Sequence, residues 1–265
     1  MAGDRRELLR RFHGHLHDVW RRLALSIPEG WVEEASGLTC IASGSSSPSF
    51  NLALSSEGLR DPEVALDAAD HRFGQAGLRW LLKLQSELDH ELVGHARKCG
   101  LDLDEEPVYA MRIRPGTAGA LSSASPLSIR AADSDTIDDA VHCFADAFAT
   151  EPDAVRRELG TNLVTIPTFT VFVGYLEEEP VATSMLATTR SVGLAGIYSV
   201  ATRHTHRGRG FGTALTAAAL AAAEEQGYDT AVLEPSPSGA SMYRQMGFEP
   251  LTTYLEAVIS SLDGA

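Results

Sequence analysis

The start of the chain carries apolar residues at spacings of three and four, set among arginines, between Asp4 and Ser26. This period is typical of an amphipathic helix with one buried face. We expect the helix to pack on the first half of the chain. Its apolar stripe consists of Leu8, Leu9, Phe12, Leu16, Val19, Trp20 and Leu23.

Short apolar runs separated by Gly, Pro, Ser and Asp then indicate an α+β first half. The strands are predicted at "LTCIASG", "SFNLALS", "LRWLLKLQ" and "PVYAMRI", with one helix from Pro62 and a second stopped by Gly100. A segment rich in Gly, Ser and Ala, "RPGTAGALSSASP", follows and has the composition of a flexible connection. We therefore predict domains at 1–118 and 127–265, joined by a linker at 119–126.

The second half predicts a mixed α/β sheet with one strand-to-helix crossover. A strand at "LSIRA" precedes a helix that begins near Asp135 or Thr136. The runs "FTVFVGYL", "PVATSMLATTR" and "AGIYSVAT" predict an antiparallel meander. An alanine-rich helix from Gly212 to Gly227, a strand "TAVLEPS" and a helix from Ser238 to Met246 come next. We expect "LTTYLEAV" to close this same sheet.

Composition narrows the classes of function. A chain of 265 residues with a formal net charge of −14 is a poor general binder of nucleic acid or anionic membranes, which require a broadly positive face. The cysteines, Cys40, Cys99 and Cys143, are widely separated and form no CxxC pair. No apolar run is long enough to span a bilayer, and the first residues lack the apolar core of a signal peptide. We expect a cytoplasmic protein with reduced thiols.

Against this acidity, the stretch "ATRHTHRGRGFGTAL" concentrates positive charge where the alanine-rich helix begins. Unpaired N–H groups and the helix dipole make such a terminus an anion site, and glycines let the backbone approach the ligand. A Walker loop would need Gly-Lys followed by Ser or Thr. The dinucleotide fingerprint would need a third glycine and a later acidic residue. Neither fits, so we expect another phosphate-bearing ligand.

These residues resemble the GNAT superfamily of acetyl-CoA-dependent N-acetyltransferases. The family signature is Arg or Gln, two residues, Gly, one residue, and Gly or Ala, which Arg207, Gly210 and Gly212 match. The family also has a later segment with Tyr, three residues and Gly-Phe. "SPSGASMYRQMGF" supplies it, with Tyr243 before Gly247 and Phe248. The resemblance covers roughly residues 127–258.

The resemblance implies a GNAT-like fold, acetyl-CoA as co-substrate and no metal. It also implies that the backbone at the end of "IYSVAT" pairs with the pantetheine arm and that the turn amides hold the pyrophosphate. Ser236 stands where many members have Asn, so a shorter hydroxyl would make any contact there. The implied cofactor-binding residues are Val200, Ala201, Thr202, Arg207, Gly208, Arg209, Gly210, Phe211, Gly212, Thr213 and Ser236.

The implied chemistry is direct attack of an amine on the thioester. Tyr243 matches the family's proton donor to the departing sulfur, and its alternative interpretation is a core aromatic. The strand "GIYSVAT" lacks the glutamate that some members use as base, so Glu234 on the adjoining strand is our candidate, beside water-relayed deprotonation. Tyr198 and His204 are lesser candidates.

The first half shows no Arg, two residues, Gly-x-Gly turn. Aligning Gly100 with Gly247 puts Ala96 where Tyr243 stands. The first half is then either a decayed GNAT-like copy, which would make two tandem lobes, or an unrelated cap. His13 and His17 share a helix face, but Asp18 beside them is the one further candidate ligand in this stretch, which is too few for a metal site.

Three classes of function stay open. The first is an N-acetyltransferase that acts on a small-molecule or protein amine. The second is a non-catalytic acyl-CoA-binding regulator, and the third is a phosphopeptide or nucleotide module. The sequence leaves the acceptor and the oligomeric state undetermined.

Overall fold

The computed structural model describes residues 2–56, 59–113, 116–117 and 125–260. The helices are α1 Ala2–Leu25, α2 Pro62–Gln75, α3 His90–Lys98, α4 Ile137–Phe148, α5 Pro152–Leu159, α6 Thr161–Val164, α7 Phe211–Glu225 and α8 Ala240–Gln245. The strands are β1 Trp31–Ala35, β2 Leu38–Ala42, β3 Asn51–Ser55, β4 Trp80–Gln85, β5 Asp104–Arg112, β6 Ser128–Ala131, β7 Phe169–Leu176, β8 Glu179–Thr189, β9 Leu194–Thr202, β10 Thr230–Leu233 and β11 Glu249–Ile259.

The chain divides into two compact units that interleave along the sequence. One unit consists of Met1–His15 and Tyr109–Pro250, and the other of Leu16–Val108 and Leu251–Ala265. The predicted domains were continuous stretches and differ from these units at both ends of the chain. Most of the predicted linker at 119–126 lies outside the described residues.

In the unit that holds most of the first half, the strands lie in the order β1, β2, β3, β4, β11. The β1–β2–β3 meander is antiparallel, and β3 then runs parallel to β4. Helix α2 is the crossover between these two strands, as a parallel connection requires. Its Phe73 stacks on Trp80 of β4 with ring centroids 5.1 Å apart, within a core of buried aliphatic side chains.

In the other unit, the strands lie in the order β5, β10, β9, β8, β7, β6. The predicted antiparallel meander is confirmed as β7, β8 and β9, and β10 lies parallel to β9 with α7 as the crossover. Alanines and Leu220 of α7 pack on Ile197 of β9 and Leu233 of β10. An alanine-rich surface lets the helix approach the sheet closely, which explains why this helix contains so few large side chains.

Two placements differ from the prediction. Strand β11 pairs antiparallel with β4, from Tyr254 opposite Gln85 to Ile259 opposite Trp80, a pairing with the first half that was not predicted. Helix α1 was expected on the first half; its residues from Leu16 on do cluster there, whereas those up to His15 cluster with the second half. Periodicity identifies the buried face of an element and carries no information about its partner. The sequence reading also missed β1.

Candidate active site

Strand β9 has a β-bulge in its second part. Met185 of β8 lies opposite Tyr198 and Thr183 lies opposite Ala201, so one residue of β8 faces two of β9. Ser199, within the bulge, has a φ of 51°. A non-glycine residue in this conformation is strained, and such strain is typical of functional sites. A bulge also bends its strand and redirects the following backbone.

Strand β9 pairs with β10 only in the part that precedes the bulge. The parallel pairs are Ala195 with Ala231 and Gly196 with Val232, whereas β9 continues to Thr202. Val200, Ala201 and Thr202, predicted to contact pantetheine, all lie in this extension. Past Gly196 the backbone groups of β9 have no strand partner on β10, so an extended ligand with amide bonds can pair with them.

The turn after β9 is tied to the end of α4. The backbone N–H of His204 donates to Asp146 Oδ1 at 2.6 Å. Arg207 donates through Nε to the carbonyl oxygen of Thr202 at 3.3 Å and through Nη2 to that of Ala147. The guanidinium of Arg207 therefore holds the turn in place. That it also binds the cofactor stays a prediction.

The N-terminus of α7 has free donors. Gly208 and Gly210 have φ values of 74° and 79°, which favour glycine, and no side chain caps the helix. The first hydrogen bond of the helix runs from Ala214 N to Gly210 O at 3.0 Å. The amides of Phe211, Gly212 and Thr213 precede it, so the helix does not use them. These orphan donors, together with the helix dipole, form an anion-binding terminus.

Two side chains near this terminus, those of Phe211 and Arg209, differ in burial. The Phe211 side chain is buried in the core, so only its backbone is available to a ligand. The Arg209 guanidinium lies 4.8 Å from the centroid of that ring and is exposed, so it adds positive charge near the start of α7.

Gly212 brings three elements together. A Cβ at this position would lie 3.2 Å from Met242 Sδ in α8 and 3.9 Å from Val200 Cγ1 in β9. The end of β9, the start of α7 and the first turn of α8 therefore surround one point. The cleft beside β9 and the anion-binding terminus are parts of the same site.

Tyr243 lies in α8, one residue beyond Met242, and is 7% exposed. Burial raises the pKa of its phenol to about 12, and a hydrogen bond with Thr216 of α7 lowers the pKa in part. Its ring meets Phe248 edge to face at 5.8 Å. The phenol therefore stays protonated at neutral pH, as a proton donor must, and its ring also fills the core.

Two further predicted residues, Glu234 and Ser236, lie between β10 and α8. Glu234 follows the last residue of β10 and is half-buried. The Ser236 hydroxyl accepts from Gly239 N at 3.3 Å and lies 3.2 Å from Ser238 Oγ, so it stabilises the turn into α8. A contact from Ser236 to pantetheine stays a prediction. The role of Glu234 as base stays a prediction as well.

Three residues at the site escaped the sequence reading: Ser199, Thr216 and Met242. A polar residue inside an alanine run could have indicated Thr216, whose hydroxyl donates to Gly212 O at 2.8 Å. No local pattern marks a serine at positive φ or a methionine that contacts a glycine. The lesser candidates for the base have different surroundings: Tyr198 stacks on His15, and His204 is exposed in the turn after β9.

Within the described ranges, no group of three or more His, Cys, Asp or Glu side chains is arranged to hold a metal ion. None of the described helices is both long and apolar enough to cross a membrane.

Comparison with known proteins identifies the family of the second half. Residues 128–251 match the family model described as an acetyltransferase (GNAT) domain. No curated protein matches the sequence significantly.

Several solved structures share the fold over most of the chain. A GCN5-related N-acetyltransferase from Kribbella flavida has 23% identity and a TM-score of 0.66, covering 86% of this chain and 89% of its own. A functionally unknown conserved protein from Staphylococcus epidermidis ATCC 12228 has 14% identity and a TM-score of 0.65, covering 88% and 95%. A tandem GNAT protein from the clavulanic acid biosynthesis pathway has 14% identity and a TM-score of 0.57, covering 83% and 78%.

These likenesses extend over both halves, so the fold is that of GNAT acetyltransferases, with a tandem GNAT protein among the neighbours. The resemblance to the GNAT family, which was predicted from Arg207, Gly210, Gly212 and Tyr243, is confirmed for the family. Over residues 128–251, the chain carries a domain of the GNAT acetyltransferase family.

Proposed function

We propose that this protein is an N-acetyltransferase that moves the acetyl group of acetyl-CoA to a primary amine of a small molecule or a protein. The proposal rests on the N-terminus of α7, which has no side-chain cap, together with strand β9, which continues after its pairing with β10 has ended. An extended ligand with a phosphate-rich end fits this combination, because its arm can pair with β9 while its phosphates meet the amides of Phe211, Gly212 and Thr213.

Binding also requires charge, since the protein as a whole is acidic. The side chains of Arg207 and Arg209 are both exposed, but the Arg207 guanidinium hydrogen-bonds to backbone carbonyls, whereas that of Arg209 lies over the Phe211 ring at the start of α7. We assign Arg209 to the phosphates and Arg207 to holding the turn in its open shape. A local cation within a negative surface favours one anionic ligand without making the protein a general polyanion binder.

The proposed reaction is direct. The amine nitrogen attacks the thioester carbonyl, the new C–N bond forms, the C–S bond breaks, and the nitrogen loses one proton while the sulfur gains one. Tyr243 is the proposed donor of the proton to sulfur: its phenol is protonated at neutral pH, although burial raises its pKa and so makes it a weaker acid than an exposed tyrosine. Glu234 is the proposed acceptor of the amine proton, directly or through water.

The alternative is a regulator that binds acyl-CoA without turnover. Steady release of the CoA thiol from acetyl-CoA, followed across classes of amine, separates the two. An enzyme releases thiol in proportion to the acetylated amine over many turnovers. Acetyl-CoA binding with no acetylated product from any class, including peptides with lysine or a free N-terminus, would favour the regulator.

A further inference from the structure

The first part of α1 lies across the hairpin that joins β8 to β9. Arg11 donates through Nε to the carbonyl oxygen of Val192 at 2.6 Å and through Nη2 to that of Gly193 at 2.8 Å. Both acceptors are in the turn of the hairpin, so one guanidinium fixes its end. Neither the sequence motifs nor the proposed reaction requires this contact.

One turn further along α1, the imidazole of His15 is fully buried against β9. Its Nδ1 lies 2.9 Å from Thr189 Oγ1 at the end of β8, and its ring stacks on Tyr198 with centroids 6.0 Å apart and an interplanar angle of 16°. A Cβ on Gly196 would lie within 3.0 Å of both His15 Nε2 and the Tyr198 ring. The imidazole therefore sits where any other residue at position 196 would place a side chain.

This contact falls at the point where the strands part. Gly196 is the last residue of β9 that pairs with β10, and the bulge at Ser199 follows directly after Tyr198. A glycine inside a strand weakens it and often marks the close approach of another group. Here the group that approaches is His15, and the pairing of β9 with β10 ends at the same residue.

We propose that His15 is a positioning residue that holds the cleft between β9 and β10 open for the pantetheine arm. This rests on the proposed function. Nε2 fills the space beside Gly196 that a Cβ would occupy, the stacked ring supports Tyr198 next to the bulge, and Arg11 holds the turn of the hairpin. Without the imidazole, β9 can relax toward β10, and the cleft must then be reopened at the expense of ligand affinity.

The first test is His15→Ala, with acetyl-CoA affinity measured by calorimetry well below the melting temperature. If the open state falls to about a tenth of the molecules, apparent affinity falls about tenfold. Where acceptor turnover is measurable, kcat should change less than KM for acetyl-CoA. Val173→Ala is the matched control, since Val173 is buried in β7, away from the cleft, and its truncation should lower the melting temperature without weakening binding.

Two further variants keep the test decisive if His15→Ala folds poorly. The amide of His15→Gln can reach the position of Nε2, whereas that of His15→Asn reaches only the position of Nδ1 beside Thr189. Positioning through Gly196 requires that Gln retains more affinity for acetyl-CoA than Asn. The reverse order would show that only the hydrogen bond to Thr189 matters and would overturn the proposal.

Hydrogen exchange gives a readout that does not depend on the ligand. If β9 closes on β10 in His15→Ala, amides within residues 197–202 should exchange more slowly, whereas a loss of packing alone would speed them. Faster exchange, or unchanged affinity in His15→Ala with normal wild-type binding, overturns the role of His15 and leaves the proposed function intact. Failure of the wild type to bind acetyl-CoA overturns both.

Discussion

Helices α2 and α7 occupy the same place in the two halves, each crossing between a pair of parallel strands, but their first turns are built differently. Asp61 caps α2 and accepts from the amides of Glu63 at 3.1 Å and Val64 at 3.3 Å, and Pro62 has no N–H to offer. Helix α7, whose N-cap residue is Gly210, has no side-chain cap. The first half thus uses its helix terminus for stability, and the second leaves it free for an anion.

The strands before these helices also differ, in how far each stays paired with the next parallel strand. In the first half β3 remains paired with β4 up to Leu54, one residue before the strand ends. In the second half β9 leaves β10 at Gly196 and continues to Thr202. A cleft for an extended ligand needs this divergence, so a shared topology alone does not produce a ligand site.

A third difference concerns the helix that follows. Ala96 of α3, aligned with Tyr243 through the glycines after each helix, is completely buried and offers no proton. The meander, the crossover and the later helix recur in both halves, whereas the cap, the divergence and the phenol differ. This pattern favours the decayed GNAT-like copy over an unrelated cap, and that origin of the first half stays a prediction.

The largest effect in this comparison is expected from Tyr243→Phe, which makes the second half resemble the first at its proton donor. Turnover should fall on the order of 10- to 10⁴-fold, because the thiolate then leaves without a positioned acid. The ring and its contact with Phe248 remain, so acetyl-CoA affinity and melting temperature should change little. The measurements are kcat with an accepted amine, acetyl-CoA affinity and thermal unfolding.

Tyr109→Phe is the control, since Tyr109 is a buried tyrosine of the same core cluster. An unchanged kcat in Tyr243→Phe would remove the phenol from the mechanism. Equal loss in both variants would assign the effect to packing.

The next effect is on binding, through Gly210→Val. A side chain at a φ of 79° distorts the turn and misaligns the amides of α7, so affinity for CoA should fall about 10- to 100-fold, as for one lost charge-assisted hydrogen bond. Calorimetry with CoA measures it. Gly227→Val matches the strain, because Gly227 has a φ of 82° at the other end of this helix and equally open space around its Cβ position. If both variants bind CoA like the wild type, the turn is not the phosphate site.

These differences show what local sequence can and cannot predict. The turn at Gly210 and the segment around Tyr243 are short patterns whose meaning lies within a few residues, so both elements were recognised. The pairing of β11 with β4 and the role of His15 join residues that are distant in the chain. The conformation of Ser199 could not be predicted, because a positive φ favours glycine and a serine in the sequence does not indicate it. The missed features are long-range contacts, which an apolar period cannot specify.

The comparison also predicts that each chain binds one CoA. The first half has a capped helix terminus and a closed strand pair, so it offers CoA neither free amides nor a cleft. Titration with CoA should give a stoichiometry of one, and Gly210→Val should remove that single binding event. A stoichiometry of two would show that the first half kept a site despite its cap.

The smallest effect is expected from removing the N-cap of α2. Asp61→Ala removes the acceptor for two amides of α2 and should lower the free energy of unfolding by about 1 kcal/mol, the usual contribution of an N-cap. Urea unfolding measures this. Asp67→Ala, at an exposed position within the same helix, should change stability by less than about 0.5 kcal/mol. CoA stoichiometry should stay at one in Asp61→Ala, because Pro62 still lacks its N–H and β3 still pairs with β4. A second binding event in this variant would mean that the carboxylate alone had blocked an otherwise intact site, and the first half would then be a masked acetyl-CoA lobe instead of a decayed one.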